Sequence, residues 1–112
     1  MLLDDANALA DKLRDSDEYK TYLAAKERAF ANPSTAALLN EFFALRKRFY
    51  ALRQCDEQDD LLEKKLIKMS DVLQFDADAT AYLLAELHLN ELLGNIIMTL
   101  AEGIDFHIIG DA

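Results

Sequence analysis

The sequence is poor in the residues that break regular structure or cross-link small folds. Its 112 residues include three glycines, one proline, one cysteine and no tryptophan. So few glycines and prolines exclude the many tight turns of a β-protein, and a single cysteine, Cys55, excludes an internal disulfide. A chain of this length can bury a core without a metal or a disulfide. We therefore expect one domain, residues 1–112, in a reducing compartment.

Long apolar runs are also missing. No stretch approaches the 18 uncharged apolar residues of a membrane span, because Glu86 and Glu102 interrupt the best candidate. The N-terminus is acidic and lacks the basic and apolar regions of a signal peptide. We expect a cytoplasmic protein that does not enter a membrane.

Positive charge is absent from the last 44 residues, since no Lys or Arg follows Lys68. The net charge is −9, and residues 56–112 carry 13 Asp and Glu against 3 Lys and Arg. An acidic surface repels phosphate backbones, so direct binding of nucleic acid is not expected. The acidic half either keeps the protein soluble or meets a basic partner.

Motifs for catalysis and metal binding are missing as well. The glycines at 94, 103 and 110 form no phosphate-binding loop or nucleophile elbow. A di-iron bundle needs Glu-x-x-His pairs, whereas Glu86 and His88 are two residues apart and face different directions. Cys55 has no second cysteine or neighbouring histidine. We expect no enzyme activity, no metal site and no cofactor.

Apolar spacing predicts helices along the whole chain. The first covers Leu2 to Leu13, and the second runs from an N-cap at Ser16 to about Ala31. Asn32-Pro33 ends the second helix, and Ser34 is expected to cap the third, about 35–53.

The apolar stripe shifts between Leu52 and Leu62, which indicates a break over 54–60, with one long bent helix as the alternative. Asp60 and Glu63 have capping-box spacing at the start of a fourth helix. The last helix is expected to begin at a cap on Asp76 or Asp78 and to end near Gly103.

The region from Tyr82 to Ile104 is apolar over more than half of its circumference. Such a helix needs neighbours on two sides, so we expect it to be largely buried. The predicted fold is all-α: an antiparallel bundle of four to five helices around this long C-terminal helix. Glu86 and Asn90 fall inside the apolar arc. Our hypothesis is that Glu86 pairs with Arg46 or Arg53, within the subunit or across a dimer; the alternative is that Glu86 reaches solvent.

The third helix carries two apolar lines. Leu38, Phe42, Leu45, Phe49 and Leu52 form one, and Leu39, Phe43 and Tyr50 form the other, with Arg46 and Arg53 between them. One line can serve the core and the other a partner helix, which favours a homodimer. Alternatively both lines are core and the arginines extend to water. The candidate register or interface residues are Leu39, Phe43, Arg46, Tyr50, Arg53, Glu86 and Asn90.

Two segments resemble the YlbF/YmcA (YheA-like) family of small bacterial regulators. The first is DSDEYKTYLAAKERAFANPSTAALLNEFFALRKRF, residues 15–49, with the family's serine and Glu-Tyr pair and then the Glu-Phe pair at Glu41-Phe42. The second is LQFDADATAYLLAELHLNELLGNIIMTLAEGI, residues 73–104, with the Ala-Glu pair at Ala85-Glu86. Together they cover roughly 60% of the chain.

This resemblance implies an all-helical, usually homodimeric protein that acts as a non-enzymatic regulator or adaptor. Family members control competence, sporulation and biofilm formation in a complex linked to RNase Y and mRNA turnover, so a protein partner in an RNA-degradation or regulatory complex is expected. Some members have a cysteine-rich C-terminal tail linked to iron–sulfur clusters. This chain has only Cys55, so cluster binding by it alone is not expected. The alternative function is binding of a small apolar ligand or cofactor in a closed pocket lined by Phe42, Phe49 and the C-terminal stripe.

Overall fold

The computed structural model describes residues 1–107, and this part of the chain folds into five α-helices with no strand. The all-α class predicted from the sequence is therefore confirmed. The helices are α1 (Leu2–Arg14), α2 (Asp17–Ala31), α3 (Pro33–Gln54), α4 (Asp60–Leu73) and α5 (Ala77–Gly103).

The chain divides into two compact units. Unit 1 combines Met1–Leu23 with the chain from Leu84 onward, and unit 2 is Ala24–Leu83. The helices α2 and α5 each contribute to both units. That the whole chain forms one domain stays a prediction.

Unit 2 is built on a hairpin of α3 and α4, which are in extensive contact. Phe49 and Leu52 near the end of α3 lie close to Leu62 near the start of α4, while Phe42 lies close to Ser70 one turn before α4 ends. The two helices are therefore antiparallel. Fully or almost fully buried side chains from all four helical segments make the core of this unit: Ala25, Ala29, Thr35, Leu39, Leu62, Leu73, Ala79 and Tyr82.

Tyr82 in α5 joins the aromatic side chains of this core. Its ring meets the Phe30 ring of α2 edge-on at 5.6 Å between centroids and the Phe43 ring of α3 edge-on at 5.8 Å. Edge-to-face contacts at these distances are favourable beyond the area they bury. The pattern places the second apolar line of α3 on the same core as the beginning of α5.

The residues that cap the helix N-termini agree with the predictions, except at α3 and α4. Ser16 caps α2 as predicted, because its Oγ accepts a hydrogen bond from the Tyr19 amide at 3.2 Å. The prediction that Ser34 caps α3 is wrong: Asn32 is the cap, and its side chain accepts from the Ser34 amide at 2.9 Å. Pro33 then occupies the first helical position, where its fixed φ suits a helix and no amide is needed.

The cap of α4 is also one residue earlier than predicted. Asp59, in extended conformation, accepts from the Leu62 amide at 3.1 Å, and Asp60 is the first helical residue. At the start of α5, Asp76 is the cap among the two candidates, accepting from the amides of Asp78 and Ala79 at 3.0 and 3.1 Å.

The break over 54–60 is confirmed, and the single bent helix is excluded. The helix α3 ends at Gln54, and Asp56 has a positive φ of 57°. The Glu57 amide donates to the Leu52 carbonyl and the Asp56 amide to the Arg53 carbonyl, which is the Schellman pattern of a helix end. The end of α5 repeats it at Asp105, with φ 53° and a bond from the Phe106 amide to the Ala101 carbonyl.

The expectation that the C-terminal helix is largely buried is wrong for the single chain. Of the 27 residues in α5, four are buried, namely Ala79, Tyr82, Ala85 and Ala101. The physical reason lies in unit 1, where α1 contributes no buried residue at all. A short helix that buries none of its own residues cannot cover an apolar arc of more than half a circumference.

Candidate functional site: interaction surfaces of α3 and α5

The seven residues named from the sequence fall into two groups on the structure. Leu39 is completely buried and Phe43 is half-buried against Tyr82, so both belong to the core of unit 2. Tyr50, on the same line, is 57% exposed, and Arg53 is exposed too. The second apolar line of α3 is thus a core line at its beginning and a surface line at its end. An interface role for its exposed end stays a prediction.

The two arginines of α3 lie against aromatic rings of their own helix. The guanidinium carbon of Arg46 is 4.7 Å from the Phe43 ring centroid and 5.6 Å from that of Phe42. Arg53 repeats this arrangement over Phe49 at 5.6 Å. Stacking on a ring leaves the edge of a guanidinium open for hydrogen bonds while its face covers apolar surface.

Glu86 and Asn90 lie in the part of α5 that belongs to unit 1. Glu86 is half-buried and Asn90 is exposed. The pairing of Glu86 with Arg46 or Arg53 stays a prediction. Both residues lie on the same face of α5 as a row of exposed apolar side chains that begins with Leu93 and Ile97.

This row is formed by large apolar side chains of unit 1 that are exposed to solvent. Its exposed members are Leu93 at 38%, Ile97 at 52%, Leu100 at 61% and Ile104 at 74%. Leu87 and Met98 widen it on one side. Single exposed apolar residues are ordinary, but a contiguous patch of this kind marks a contact surface.

Gly94 lies beside this row in the middle of α5. A methyl group at its Cα would meet no atom within 4 Å, so packing inside the chain does not require glycine here. Glycine in a helix interior costs about 0.5–1 kcal/mol relative to alanine.

The signal that could have located this surface was present in the sequence. Glu86, Asn90, Leu93, Ile97, Leu100 and Ile104 alternate four- and three-residue steps, which is heptad spacing. From the width of the apolar arc we predicted that this stripe lies in the core of the chain. Heptad spacing alone cannot tell a seam within a chain from a seam between chains.

The cavity lined by Phe42 and Phe49 is a groove of about 320 Å³ between α3 and α4 that opens to solvent. Its other wall is formed by Leu66 and Ile67 of α4. The C-terminal stripe, which the ligand-binding alternative required as a wall, takes no part in it. A shallow groove of this kind does not enclose a small apolar ligand.

Charge is distributed very unevenly between the units. Unit 1 has 11 Asp and Glu against 3 Lys and Arg, whereas unit 2 has 10 against 9. Almost all of the net charge of −9 therefore belongs to the unit that carries the exposed apolar row.

Side chains for metal chemistry are not gathered in the part of the chain that the structure describes. Within residues 1–107, no three His, Cys, Asp or Glu side chains are placed to hold a metal ion. Cys55 is exposed in the loop after α3. None of the five helices is both long enough and apolar enough to cross a membrane.

Comparison with known proteins extends the likeness over almost the whole chain. Residues 2–105 match the family model described as control of competence regulator ComK, YlbF/YmcA. The UPF0342 protein STH1710 of Symbiobacterium thermophilum is 30% identical over 105 residues, which is 93% of this chain and 94% of that protein. The crystal structure of Bacillus subtilis RicA in complex with RicF contains a chain of the same fold, with a TM-score of 0.64, 13% identity and 93% of both chains covered. The chain therefore belongs to the YlbF/YmcA family, as its Ser16–Tyr19 and Ala85–Glu86 segments suggested.

Proposed function

We propose that this chain is a non-enzymatic regulatory or adaptor protein that acts by binding other proteins. In this proposal it works in the bacterial cytoplasm as a homodimer. The observation that carries the proposal is membership of a regulator family over residues 2–105, in a chain whose α5 exposes a contiguous apolar row. A surface of this kind supports binding, and it provides no acid–base pair or nucleophile for catalysis.

We also propose the cellular process in which this chain acts. The family description names control of the competence regulator ComK. The structural neighbour RicA was crystallised in complex with RicF, which supports action through a protein complex. We infer that this chain takes part in the control of competence, sporulation or biofilm formation through RNase Y-linked mRNA turnover. Its acidic character favours a role as a protein partner over a role as the RNA-binding component.

The test is deletion of the chain's gene in its own bacterium, followed by measurement of mRNA half-lives after transcription is blocked. We expect longer half-lives for a subset of transcripts, and we expect complementation to restore them. A strain complemented with Cys55→Ser is the matched control, because Cys55 is exposed and has no role in the proposal. Unchanged half-lives in the deletion strain would contradict the link to mRNA turnover.

A second measurement addresses the partner. The tagged chain, expressed at its natural level, is purified from the same bacterium and the bound proteins are identified by mass spectrometry. Recovery of RNA-degradation proteins is the expected result. Recovery of the chain alone, as a bare homodimer, would contradict the adaptor role while leaving the homodimer intact.

The ligand-binding alternative has weaker support. The groove at Phe42 and Phe49 is open along one side, and α4 rather than α5 forms its second wall. Buried apolar ligands are held in cavities that cover most of their surface.

A further inference from the structure

We propose that the groove between α3 and α4 is the docking site for an amphipathic helix of a partner protein. The helix that fits presents an apolar row to the floor of the groove, acidic side chains to α3 and basic side chains to α4. This inference rests on the adaptor role proposed above, and it adds the surface and the chemistry of the partner. All residues that form the groove belong to unit 2.

The floor of the groove is apolar. Phe42 and Phe49 of α3 and Leu66 of α4 line it, and each of these side chains is half-buried. Tyr50 and Ile67 form its two rims and are 57% and 62% exposed. Between residues 42 and 50, α3 rises about 12 Å at 1.5 Å per residue. An open apolar groove of this length accepts two turns of a helix that carries apolar residues at three- and four-residue spacing.

The rim on α3 is basic. Arg46, Tyr50 and Arg53 follow one another at four- and three-residue spacing, so they lie on one face of the helix. Arg46 lines the groove, and Arg53 lines a second hollow of about 380 Å³ that shares Phe49 with the groove. Arg53 is exposed, and its guanidinium group lies over the Phe49 ring. A guanidinium group restrained in this way binds a carboxylate through its edge.

The rim on α4 is acidic. Glu63, Ile67 and Asp71 repeat at four-residue spacing, on the side of α4 that faces α3. Asp71 lines the groove together with Arg46, and Glu63 lines the second hollow together with Arg53. In the part of the chain that the structure describes, neither acid forms an ion pair with an arginine across the groove. The three lysines of α4 line neither hollow. Opposite charges therefore border the groove on its two sides.

These two rims determine which class of ligand fits. The arginines would attract a phosphate backbone or an anionic lipid surface, but the acids on the opposite rim and the net charge of −9 would repel it. A helix of a protein can match both rims, because one flank can carry Asp and Glu and the other Lys and Arg. The apolar row between these flanks then covers the exposed parts of Tyr50 and Ile67.

The first experiment identifies what lies in the groove inside the chain's own bacterium. The photoreactive residue p-benzoylphenylalanine replaces Ile67 or, as the matched control, Leu61, which is 72% exposed on α4 and lines neither hollow. After irradiation, the tagged chain is purified and its cross-linked peptides are sequenced by mass spectrometry. We expect the probe at Ile67, but not the probe at Leu61, to join another protein. The joined segment is expected to have apolar residues at helical spacing, with acidic and basic residues on opposite flanks.

The second experiment reverses one charge at a time in the chain that carries the Ile67 probe. Arg53→Glu is expected to lower the yield of the cross-link at least about 10-fold, because it repels the acidic flank of the partner helix. Glu63→Lys is expected to lower the yield to a similar extent, because it repels the basic flank. Arg48→Glu and Glu27→Lys are the matched controls, since both residues are exposed and line neither hollow. We expect both controls to leave the yield unchanged, and circular dichroism checks that all four variants keep their helix content.

Several results would overturn this docking site. If the probe at Ile67 joins no protein, or only the proteins that the probe at Leu61 joins, the groove holds no partner helix. A second copy of the chain, RNA or lipid on the Ile67 probe would assign the groove to that occupant instead. A higher yield with Glu63→Lys would show an occupant that is acidic on both flanks, and it would contradict the match to two opposite rims.

These results can be told apart from failure of the proposed function. If the tagged chain recovers RNA-degradation proteins while the Ile67 probe joins none of them, the docking site is wrong and the adaptor role stands. If the tagged chain recovers no partner and the Ile67 probe joins none, the docking site and the adaptor role are both wrong. The mRNA half-lives report on the regulatory process independently of the groove.

Discussion

The hydroxyl of Thr35, in the first turn of α3, donates a hydrogen bond to Oδ2 of Asp76, the cap of α5. Thr35 is 2% exposed, although it is a polar residue. The other carboxylate oxygen of Asp76 accepts from the amides of Asp78 and Ala79. One carboxylate therefore holds the start of α5 and ties it to the start of α3, 41 residues earlier in the chain.

The first prediction concerns the strength of this link. Asp76→Ala removes a helix cap and leaves a buried hydroxyl without an acceptor, so we expect a loss of about 2–3 kcal/mol in the free energy of unfolding. Thr35→Val removes only one hydrogen bond and is expected to cost about 1 kcal/mol. Urea denaturation at pH 7 measures both. Asp78→Asn, an exposed change in the same turn, serves as control and is expected to cost under about 0.5 kcal/mol. Equal effects of Asp76→Ala and Asp78→Asn would refute the link.

The second prediction concerns pH. The hydrogen bond from Thr35, together with those from the Ala79 and Asp78 amides, lowers the pKa of Asp76 below its ordinary 3.8, against a smaller opposing effect of burial. A carboxyl whose pKa is lower in the folded state stabilises the fold fully above pH 3.8. That contribution is lost as the pH falls through the lower pKa of the folded state.

Asp76→Asn tests this directly, because asparagine still caps a helix but carries no charge. We expect the parent to be more stable than the variant at pH 7 and the difference to shrink as the pH falls below 3.8. Urea midpoints from pH 7 to pH 2 measure the trend. A difference that stays constant over this range would show that the charge of Asp76 contributes nothing.

The third prediction separates two neighbouring aspartates. Asp59 caps α4 and Asp60 is its first helical residue. Asp59→Ala is expected to cost about 1 kcal/mol, since the Leu62 amide loses its acceptor. Asp60→Ala loses only an acid near the positive end of the helix dipole, which is worth a few tenths of a kcal/mol. Thermal denaturation of the two variants side by side gives the comparison, and a larger cost at Asp60 would restore the capping box expected from the sequence.

The fourth prediction concerns the end of α3. Asp56 has a φ of 57°, a conformation that glycine adopts without strain and aspartate adopts at some cost. We expect Asp56→Gly to raise the free energy of unfolding by about 0.5 kcal/mol. Cys55→Gly at the preceding residue, whose φ is −91°, is the matched control and should lower it. Urea denaturation measures the free energy of unfolding of both variants. If Asp56→Gly destabilises the protein instead, the aspartate side chain itself stabilises this turn.

The positions of the helices could be predicted well from the sequence, whereas the burial of their faces could not. Helix existence follows from periodicity, so the bounds of α1 and α2 and the break after α3 could be predicted to within a residue or two. The caps at Asn32 and Asp59 were missed, because each is followed within two positions by another residue that commonly caps helices, Ser34 or Asp60. In both cases the cap is the residue with extended backbone. At Asn32 the proline that follows favours this conformation.

Burial was the harder question. The apolar arc of α5 indicates that something covers it, but periodicity does not say whether the cover is the same chain or another. Leu39 and Phe43 turned out to be core, whereas Ile97 and Leu100 are exposed in the single chain. Helix α1 decides the difference, because it is short and none of its residues is buried. Its weakness as a neighbour could not be inferred from its amphipathic pattern.

The fifth prediction compares the buried beginning of the second apolar line of α3, at Phe43, with its exposed end, at Tyr50. Phe43 contacts the Tyr82 ring and lies under Arg46, whereas Tyr50 is 57% exposed. Phe43→Leu keeps an apolar side chain but loses both ring contacts, so we expect a loss of about 1–2 kcal/mol. Tyr50→Leu is the control and should change stability by less than about 0.5 kcal/mol. Urea denaturation measures the free energy of unfolding of both variants. A large loss of stability for Tyr50→Leu that depends on protein concentration would contradict a surface role. It would instead place the exposed end of this line in an interface between copies.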